Sequence, residues 1–242
     1  MKFASVAGPA LLLSACGETQ PPPGANQNAA GSGEKRASGE EGDEIEVTAV
    51  EDLMREHGVL RRALLVYTEA ATRLRRSPGS IPPDALQKTA KLFRAFGEDY
   101  HEKKLEEAFI FPAIKQANGP AAVYPDILVA QHNRGREITD YILSVTQGAK
   151  LGANAEALAG ALDSFVRMYR HHAAREDTIV FPAWKEAVSE QQYRELSDKF
   201  EEIEHQQFGK DGFDDAVEQI GGIEASLGLD DIAQFTAPPL PK

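Results

Sequence analysis

Two stretches of the sequence place a histidine and a glutamate on the apolar face of a helix. In the later stretch, residues 169–184, His172 and Glu176 are one helical turn apart. The same face carries apolar side chains at helical spacing: Leu158, Ala161, Phe165, Met168, Ile179 and Ala183. Because burial removes an imidazole and a carboxylate from water, both need a polar partner or a bound metal ion.

The earlier stretch, residues 99–115, repeats this arrangement around His101. Glu106 precedes Phe111-Pro112 by five residues, and Glu176 precedes Phe181-Pro182 by the same interval. The repetition predicts a helical hairpin that occurs twice, with each copy directing a histidine and a glutamate toward the core.

Two further histidines lie on the apolar faces of the other predicted helices, His57 on the first and His132 on the third. Imidazole and carboxylate ligands without a thiolate suit iron, manganese or zinc. Two carboxylates flanked by histidines suit a dinuclear centre, and helix bundles hold such centres in their cores. The sequence therefore predicts a metal site shared by four helices.

The spacing between His101 and Glu106 leaves alternatives open. Five residues on a regular helix place the two side chains about 140° apart. A local π-helical turn would bring them together; otherwise Glu102 takes part, or Glu106 is not a ligand. We favour the π-helical turn, because such turns occur at functional sites.

Several other polar residues have two interpretations. His171 has the same five-residue offset from Glu176, but His172 lies on the apolar face and is preferred. Arg61 and Arg136 each follow a core histidine by one turn, and they are either hydrogen-bond partners of the bridging carboxylates or surface residues.

The fifth predicted helix carries His205, which points away from its apolar face. This position is typical of a solvated surface histidine. The alternative is an additional ligand that closes the site, and Glu204 is the better candidate because it lies nearer the edge of the apolar face.

Apolar periodicity and Pro/Gly breaks predict an all-α protein. Four long helices are expected, as are a capping box that opens a fifth helix at Ser189 and a sixth helix weakened by Gly221-Gly222. Short connections favour an up-down-up-down four-helix bundle over residues 46–188. Residues 189–242 are too short for a core of their own, so two or three short helices should pack on the bundle. The expected bounds of the long helices are 47–76, 84–118, 122 or 125 to 150, and 154–188.

The start of the chain predicts a membrane anchor. Leu13-Ser14-Ala15-Cys16 resembles the lipobox of bacterial lipoproteins, in which the cysteine is lipidated after cleavage; the alternative is an ordinary secretory signal. Residues 17–45 contain almost no large apolar side chain and are expected to form a disordered tether. The bundle is then expected in the cell envelope, attached to a membrane through the lipid alone.

The amino-acid composition argues against several classes of function and of binding site. The net charge of −12 argues against nucleic acid as a partner. The one cysteine excludes a disulfide framework and a cysteine-based metal site. Beyond the first residues, no apolar run approaches the ~20 residues needed to span a bilayer.

The ordered set of histidines and glutamates resembles the hemerythrin-like, HHE cation-binding proteins over about Glu51 to Val188. The resemblance implies a bundle that holds two non-haem iron ions and meets a small diatomic or peroxide ligand. Carried over by position, the histidines are terminal ligands and the glutamates are bridges. The implied ligands are His57, His101, Glu106, His132, His172 and Glu176.

One departure from that family bears on the activity. Invertebrate hemerythrins have a second histidine one turn along the third helix, where this sequence has Arg136. The ligand set is poorer in histidine, which argues against simple reversible oxygen carriage. We expect a di-iron protein that handles oxygen, peroxide or nitric oxide. The alternatives are an iron or oxygen sensor or store without turnover, or a bundle that holds zinc, and the sequence leaves open whether the protein is an enzyme.

Overall fold

The computed structural model describes residues 47–148 and 151–241. The predicted lipidation site at Cys16 and the predicted tether lie outside the described residues. Within those ranges the regular structure is entirely helical, as the apolar periodicity predicts. No helix in the described part of the chain is long and apolar enough to cross a bilayer.

The described part of the chain contains six continuous helices, which we number in chain order. They are α1 (Ala49–Arg76), α2 (83–117), α3 (Pro125–Val145), α4 (155–187), α5 (Glu190–Phe208) and α6 (Gly212–Leu227). Four short 3₁₀ turns lie between or after these helices. One follows α1, one follows α2, one directly precedes α4 and one follows α6: Pro78–Ser80, Pro120–Val123, Gly152–Asn154 and Ile232–Phe235.

One helix prediction needs correction. Helix α3 ends at Val145 rather than Lys150, because Thr146 leaves the helical conformation at φ −96° and ψ 0°. The Thr146 hydroxyl also donates to the carbonyl of Ile142 at 2.6 Å, which satisfies a group at the helix end. Helix α6 includes Gly221-Gly222, as the predicted sixth helix does.

Helices α2 and α4 both widen into π-helix beside the predicted ligands. The π-helical segments are Phe93–Ile110 and Glu176–Val180. The amide of Phe111 donates to the carbonyl of Glu106, and the amide of Phe181 donates to the carbonyl of Glu176, each five residues back. The prolines that follow lack an amide hydrogen and clash with a carbonyl four residues back, so they disfavour a return to tight α-helical bonding there. The predicted π-helical turn in α2 is confirmed.

The π-helical turn in α4 also explains one wrong side-chain prediction. Ile179 was expected on the core face but is 36% exposed, whereas Val180, Phe181 and Trp184 are fully buried. The wider turn rotates all later side chains relative to a regular helix. Residues after Glu176 that regular helical spacing would place on the core face therefore point outward.

The helices pack so that the histidine-bearing segments meet. Helix α1 lies along Ala155–Arg175, and the start of α2 packs on α3 and α6. The ends of α2 and α4 beyond their π-helical segments pack on each other. An aromatic cluster adjoins the histidines, in which Tyr169 stands edge-on to Phe93 at 4.8 Å and its ring lies 5.4 Å from that of His172.

Helix α5 packs on α1, and its first turn is held by the predicted capping box. The Ser189 side chain accepts from the amide of Gln192, and the Gln192 side chain accepts from the amide of Ser189. Tyr193 Oη accepts from the amide of Val50 at 3.0 Å, and Ser197 Oγ accepts from the amide of Ala49 at 3.2 Å. These bonds satisfy two amides at the start of α1 that have no partner within the helix.

Candidate metal centre

Four buried histidines from four helices face one another in two pairs. Nε2 of His57 lies 3.1 Å from Nε2 of His101. Nε2 of His132 lies 3.1 Å from Nε2 of His172. Each histidine is at most 3% exposed, so the four imidazoles are shielded from bulk water.

Two buried glutamates connect the histidine pairs. Glu106 directs Oε1 to Nε2 of His101 and Oε2 to Nε2 of His132, each at 3.3 Å. Glu176 Oε2 lies 3.0 Å from Nε2 of His172 and 3.6 Å from Nε2 of His57. Each glutamate therefore spans both pairs.

The outer nitrogen of each histidine contacts an acceptor, which fixes the position of the ring proton. A proton on Nδ1 leaves the lone pair of Nε2 directed to the centre, as a metal ligand requires. The four contacts are His57 to Asp177 Oδ1 (2.6 Å), His101 to Glu56 Oε2, His132 to Glu107 Oε1 (2.8 Å) and His172 to Gln131 Oε1 (2.9 Å).

This donor set fits a cation. Both carboxylate oxygens of Glu106 and of Glu176 are buried and make no hydrogen bond with any described residue. Buried oxygens without a partner are costly, and facing imidazole lone pairs repel, so the arrangement is stabilised when a positive charge lies between them. Imidazole and carboxylate ligands match iron, manganese or zinc.

The ligands form two overlapping groups that could each hold an ion. One group is Glu106, His132, His172 and Glu176, and the other is His57, His101 and Glu106. Glu106 belongs to both groups, which is the behaviour of a bridging ligand between two adjacent metal positions.

Without a bound cation, the electrostatics of the site raise the pKa values of His101 and His132 and so favour their protonated forms. Burial opposes a charge on His132, but Glu102, Glu106 and Glu107 outweigh burial and raise its pKa to about 10. Burial likewise opposes ionisation of Glu106, yet His101 and His132 hold its pKa well below its usual range. Protons and metal ions therefore compete for the same nitrogens.

Two arginines hold the acids that orient the histidines. Arg61 pairs with Asp177, and Arg136 Nη2 lies 2.7 Å from Glu107 Oε1. Arg136 also contacts Glu102 Oε2 at 3.2 Å. The arginines thus contact neighbouring acids rather than the glutamates that connect the histidine pairs.

A small cavity lies beside the histidines, between α1, α2 and α4. Its apolar lining comes from Leu60, Leu64, Phe93 and Ala173, and Arg61 also borders it. The space for the centre of a water-sized molecule is about 10 Å³, which is room for about one water or diatomic molecule. The lining also includes three of the four histidines: His57, His101 and His172.

The structure does not bring the other candidate ligands into this cluster. His171 and His205 are exposed on the outer faces of α4 and α5. Glu204 accepts from the amide of Phe213 at 2.7 Å and so caps the first turn of α6. Glu102 accepts from the hydroxyl of Tyr169 at 2.7 Å, and it lies 3.9 Å from Nδ1 of His132, on the outer side of that ring.

The acceptors at the outer nitrogens and the aromatic contacts were missed in the sequence. Glu56, Gln131, Glu107 and Asp177 each adjoin a predicted ligand in sequence, and that adjacency was the available signal. The Phe-Pro pairs also have a role at the site. Phe181 stacks on His57 with centroids 5.4 Å apart, and Phe111 stacks on His132 at 5.6 Å.

Comparison with known proteins identifies relatives across most of the chain. The family profile described as the hemerythrin HHE cation binding domain matches residues 48–184, and it also matches 125–227. Uncharacterized proteins of Mycobacterium tuberculosis and Mycobacterium bovis are 42% identical over 235 residues, which is 96% of this chain and 87% of each relative. No solved structure matches the chain.

Proposed function

The chain belongs to the hemerythrin HHE cation-binding family, and from this premise we propose that it holds a non-haem di-iron centre that handles oxygen, peroxide or nitric oxide. The observation that carries the proposal is the convergence of four imidazole Nε2 atoms on two buried glutamates without other partners among the described residues. In this assignment His57 and His101 would hold one iron, His132 and His172 would hold the other, and Glu106 and Glu176 would be ligands shared by the two positions.

The proposed scaffold is an up-down-up-down bundle of α1 to α4, corresponding to residues 46–188. Short connections between successive helices and the packing of α1 along the first part of α4 support this topology. Residues 189–242 then form a C-terminal part that covers α1 and the start of α2, through α5 and α6.

The proposed ligand is a small diatomic molecule or a peroxide, because the cavity beside the histidines is narrow and mostly apolar. Iron would supply the redox chemistry when bound. The chain's contribution is to orient the imidazoles through Nδ1, to hold the two carboxylates in place and to keep bulk water away from the site.

We expect oxidation of the reduced protein rather than stable oxygen carriage. Arg136 stands where invertebrate hemerythrins have a further histidine, and it binds Glu102 and Glu107 instead. A carboxylate-rich surrounding favours the oxidised metal. Stopped-flow mixing of the reduced protein with oxygen should show oxidation within minutes and slow consumption of hydrogen peroxide. A reversible oxygenated spectrum that lasts for hours would instead indicate a carrier.

Iron content provides the direct test of the metal assignment. The chain from about residue 46, purified without oxygen, should contain close to two irons, and His57→Ala or His172→Ala should lower that number. His171→Ala is the matched control, because His171 is the exposed neighbour of His172. Full iron content in both core variants would refute the assignment, and zinc in place of iron would favour a non-redox bundle. Iron uptake without oxidation or peroxide consumption would favour a sensor or store.

We also propose that the protein is anchored in the cell envelope by lipid on Cys16. The support is the lipobox-like sequence that ends there, followed by a tether-like composition. Cys16→Ala should abolish incorporation of a labelled fatty acid and release the protein from the membrane fraction. Unchanged fractionation of the variant would contradict lipid anchoring.

A further inference from the structure

The residues around the two proposed metal positions follow the repeat in the sequence. The residue after each proposed bridging glutamate, Asp177 or Glu107, accepts from the outer nitrogen of a histidine on α1 or α3. An arginine one turn beyond that histidine, Arg61 or Arg136, binds the same acid. At these positions the two halves are chemically equivalent.

The repeat is broken at the residue that precedes the histidine of α1 or α3. Glu56 Oε2 contacts Nδ1 of His101. At the corresponding place in the other half, Gln131 Oε1 lies 2.9 Å from Nδ1 of His172. One imidazole therefore donates to a carboxylate, and its counterpart donates to a neutral amide.

The carboxylate of Glu56 is buried, and among the described residues its hydrogen-bond partner is His101. Glu56 is 0% exposed. Its ion-pair contact within the described ranges is His101, and its other oxygen, Oε1, makes no hydrogen bond there. Among residues 47–148 and 151–241 no arginine shares this carboxylate, in contrast to Asp177 and Glu107.

Glu102 lies near the other position and its charge raises the pKa of His132, but it makes no hydrogen bond to Nδ1 of either histidine there. Glu102 Oε2 lies 3.9 Å from Nδ1 of His132, which is beyond hydrogen-bond distance. Its two oxygens accept from the Tyr169 hydroxyl and from Arg136, so two donors already stabilise its charge.

We infer that Glu56 and Gln131 make the two metal positions unequal, so that the position of His57 and His101 has the stronger donor ligands. A carboxylate that accepts from Nδ1 raises the basicity of Nε2 more than an amide does, because the bond is charge-assisted. Glu56 is in this view a positioning residue that acts on the metal through His101. The inference rests on the proposed two-metal site.

Exchange of the two residues gives a test that separates this role from simple damage to the fold. The variants are Glu56→Gln, Gln131→Glu and the double exchange, all of which retain side-chain length and an acceptor oxygen. Zinc is the probe, because it binds the same ligand types without redox change. Binding is followed by competition with a chromophoric chelator, and histidine side-chain NMR reports which imidazoles bind first.

The wild type should bind two zinc ions in unequal steps, with His57 and His101 perturbed first. Glu56→Gln should weaken the stronger step about tenfold, the lower end of the range for partners of a ligating histidine. Gln131→Glu should strengthen the weaker step, so each single substitution brings the two steps closer. The double exchange should restore the inequality with His132 and His172 binding first.

Two results would count against the inference in different ways. If the wild type binds two zinc ions and the variants leave both steps unchanged, or the double exchange fails to reverse the order, the inference is wrong and the proposed metal site stands. If the wild type binds fewer than two ions, the proposed function fails and the inference falls with it.

Discussion

Asp177 Oδ1 lies 2.6 Å from Nδ1 of His57, although Asp177 is on α4 and His57 is on α1. Asp177 directly follows Glu176, one of the proposed bridging glutamates. It thus orients His57, the histidine that Glu176 contacts across the site. The contact couples the rotation of α4 to the direction of the imidazole on α1.

Asp177→Asn should weaken metal binding by about 10- to 100-fold while the helices remain folded, because loss of a carboxylate partner lowers the basicity of the imidazole. Metal affinity by chelator competition, together with helical circular dichroism, measures both effects. Asp163→Asn is the matched control on the same helix, since Asp163 pairs with Arg75 at the surface. Equal weakening in the control would remove the special role of Asp177.

Removal of the metal should lower the thermal stability of the protein. Without a cation, the oxygens of Glu106 and Glu176 are buried with no hydrogen-bond partner in the described structure. Free metal at a hundred times its dissociation constant should stabilise the fold by about 2.7 kcal/mol. Thermal unfolding with and without a chelator tests this, and the His57→Ala/His172→Ala double variant should respond far less to the chelator.

Gly135→Ala should destabilise the protein by about 1–3 kcal/mol, although alanine is the better helix former. A Cβ at Gly135 would lie 2.9 Å from Cζ of Tyr169 and closer still to its hydroxyl. The clash would displace the donor to Glu102. Gly160→Ala on α4 is the control, because its Cβ would meet nothing within 4 Å. Urea unfolding compares the two, and addition of Tyr169→Phe should recover part of the loss.

Glu204→Gln should change how stability depends on pH. Burial, with repulsion from Glu56 and Asp52, raises the pKa of Glu204 from 4.5 to about 7, despite the hydrogen bond from Phe213. Because the folded state holds the proton more tightly, wild-type stability should fall as pH rises from about 4.5 to about 7. Glu204→Gln lacks this pH-dependent loss, so its free energy of unfolding should rise relative to that of the wild type across that range.

Urea unfolding between about pH 5 and about pH 8 measures this difference for both proteins. Glu201→Gln is the control, because Glu201 is an exposed residue of the same helix. A constant difference between Glu204→Gln and the wild type across the range would contradict the prediction.

Much of the helical architecture followed from apolar periodicity and from Pro/Gly breaks. The proposed ligands were identifiable because histidine and glutamate are rare on a core face, and the repeat of Glu106 and Phe111-Pro112 in Glu176 and Phe181-Pro182 doubled the signal. The structure brings these side chains together as the prediction requires.

Other features depended on geometry that the sequence does not specify. The exposure of Ile179 follows from the π-helical turn at Glu176–Val180, whereas the sequence predicted such a turn for α2 alone. The contact of Asp177 with His57 joins two helices, and the sequence does not specify how those helices pack. The acid that follows a buried glutamate would point to solvent on a regular amphipathic helix. Glu204 has a capping role because the amide of Phe213, in the first turn of α6, donates to it.

The repeated hairpin also has a consequence for the symmetry of the site. A single helical hairpin carries two imidazoles and one of the two carboxylates that connect the pairs, so two identical hairpins related by a two-fold axis would supply the full donor set. Such a homodimer could not distinguish its two metal positions, because every substitution would appear at both. A single chain that carries both hairpins is free of that restriction, and the difference between Glu56 and Gln131 is one that a symmetric homodimer could not have.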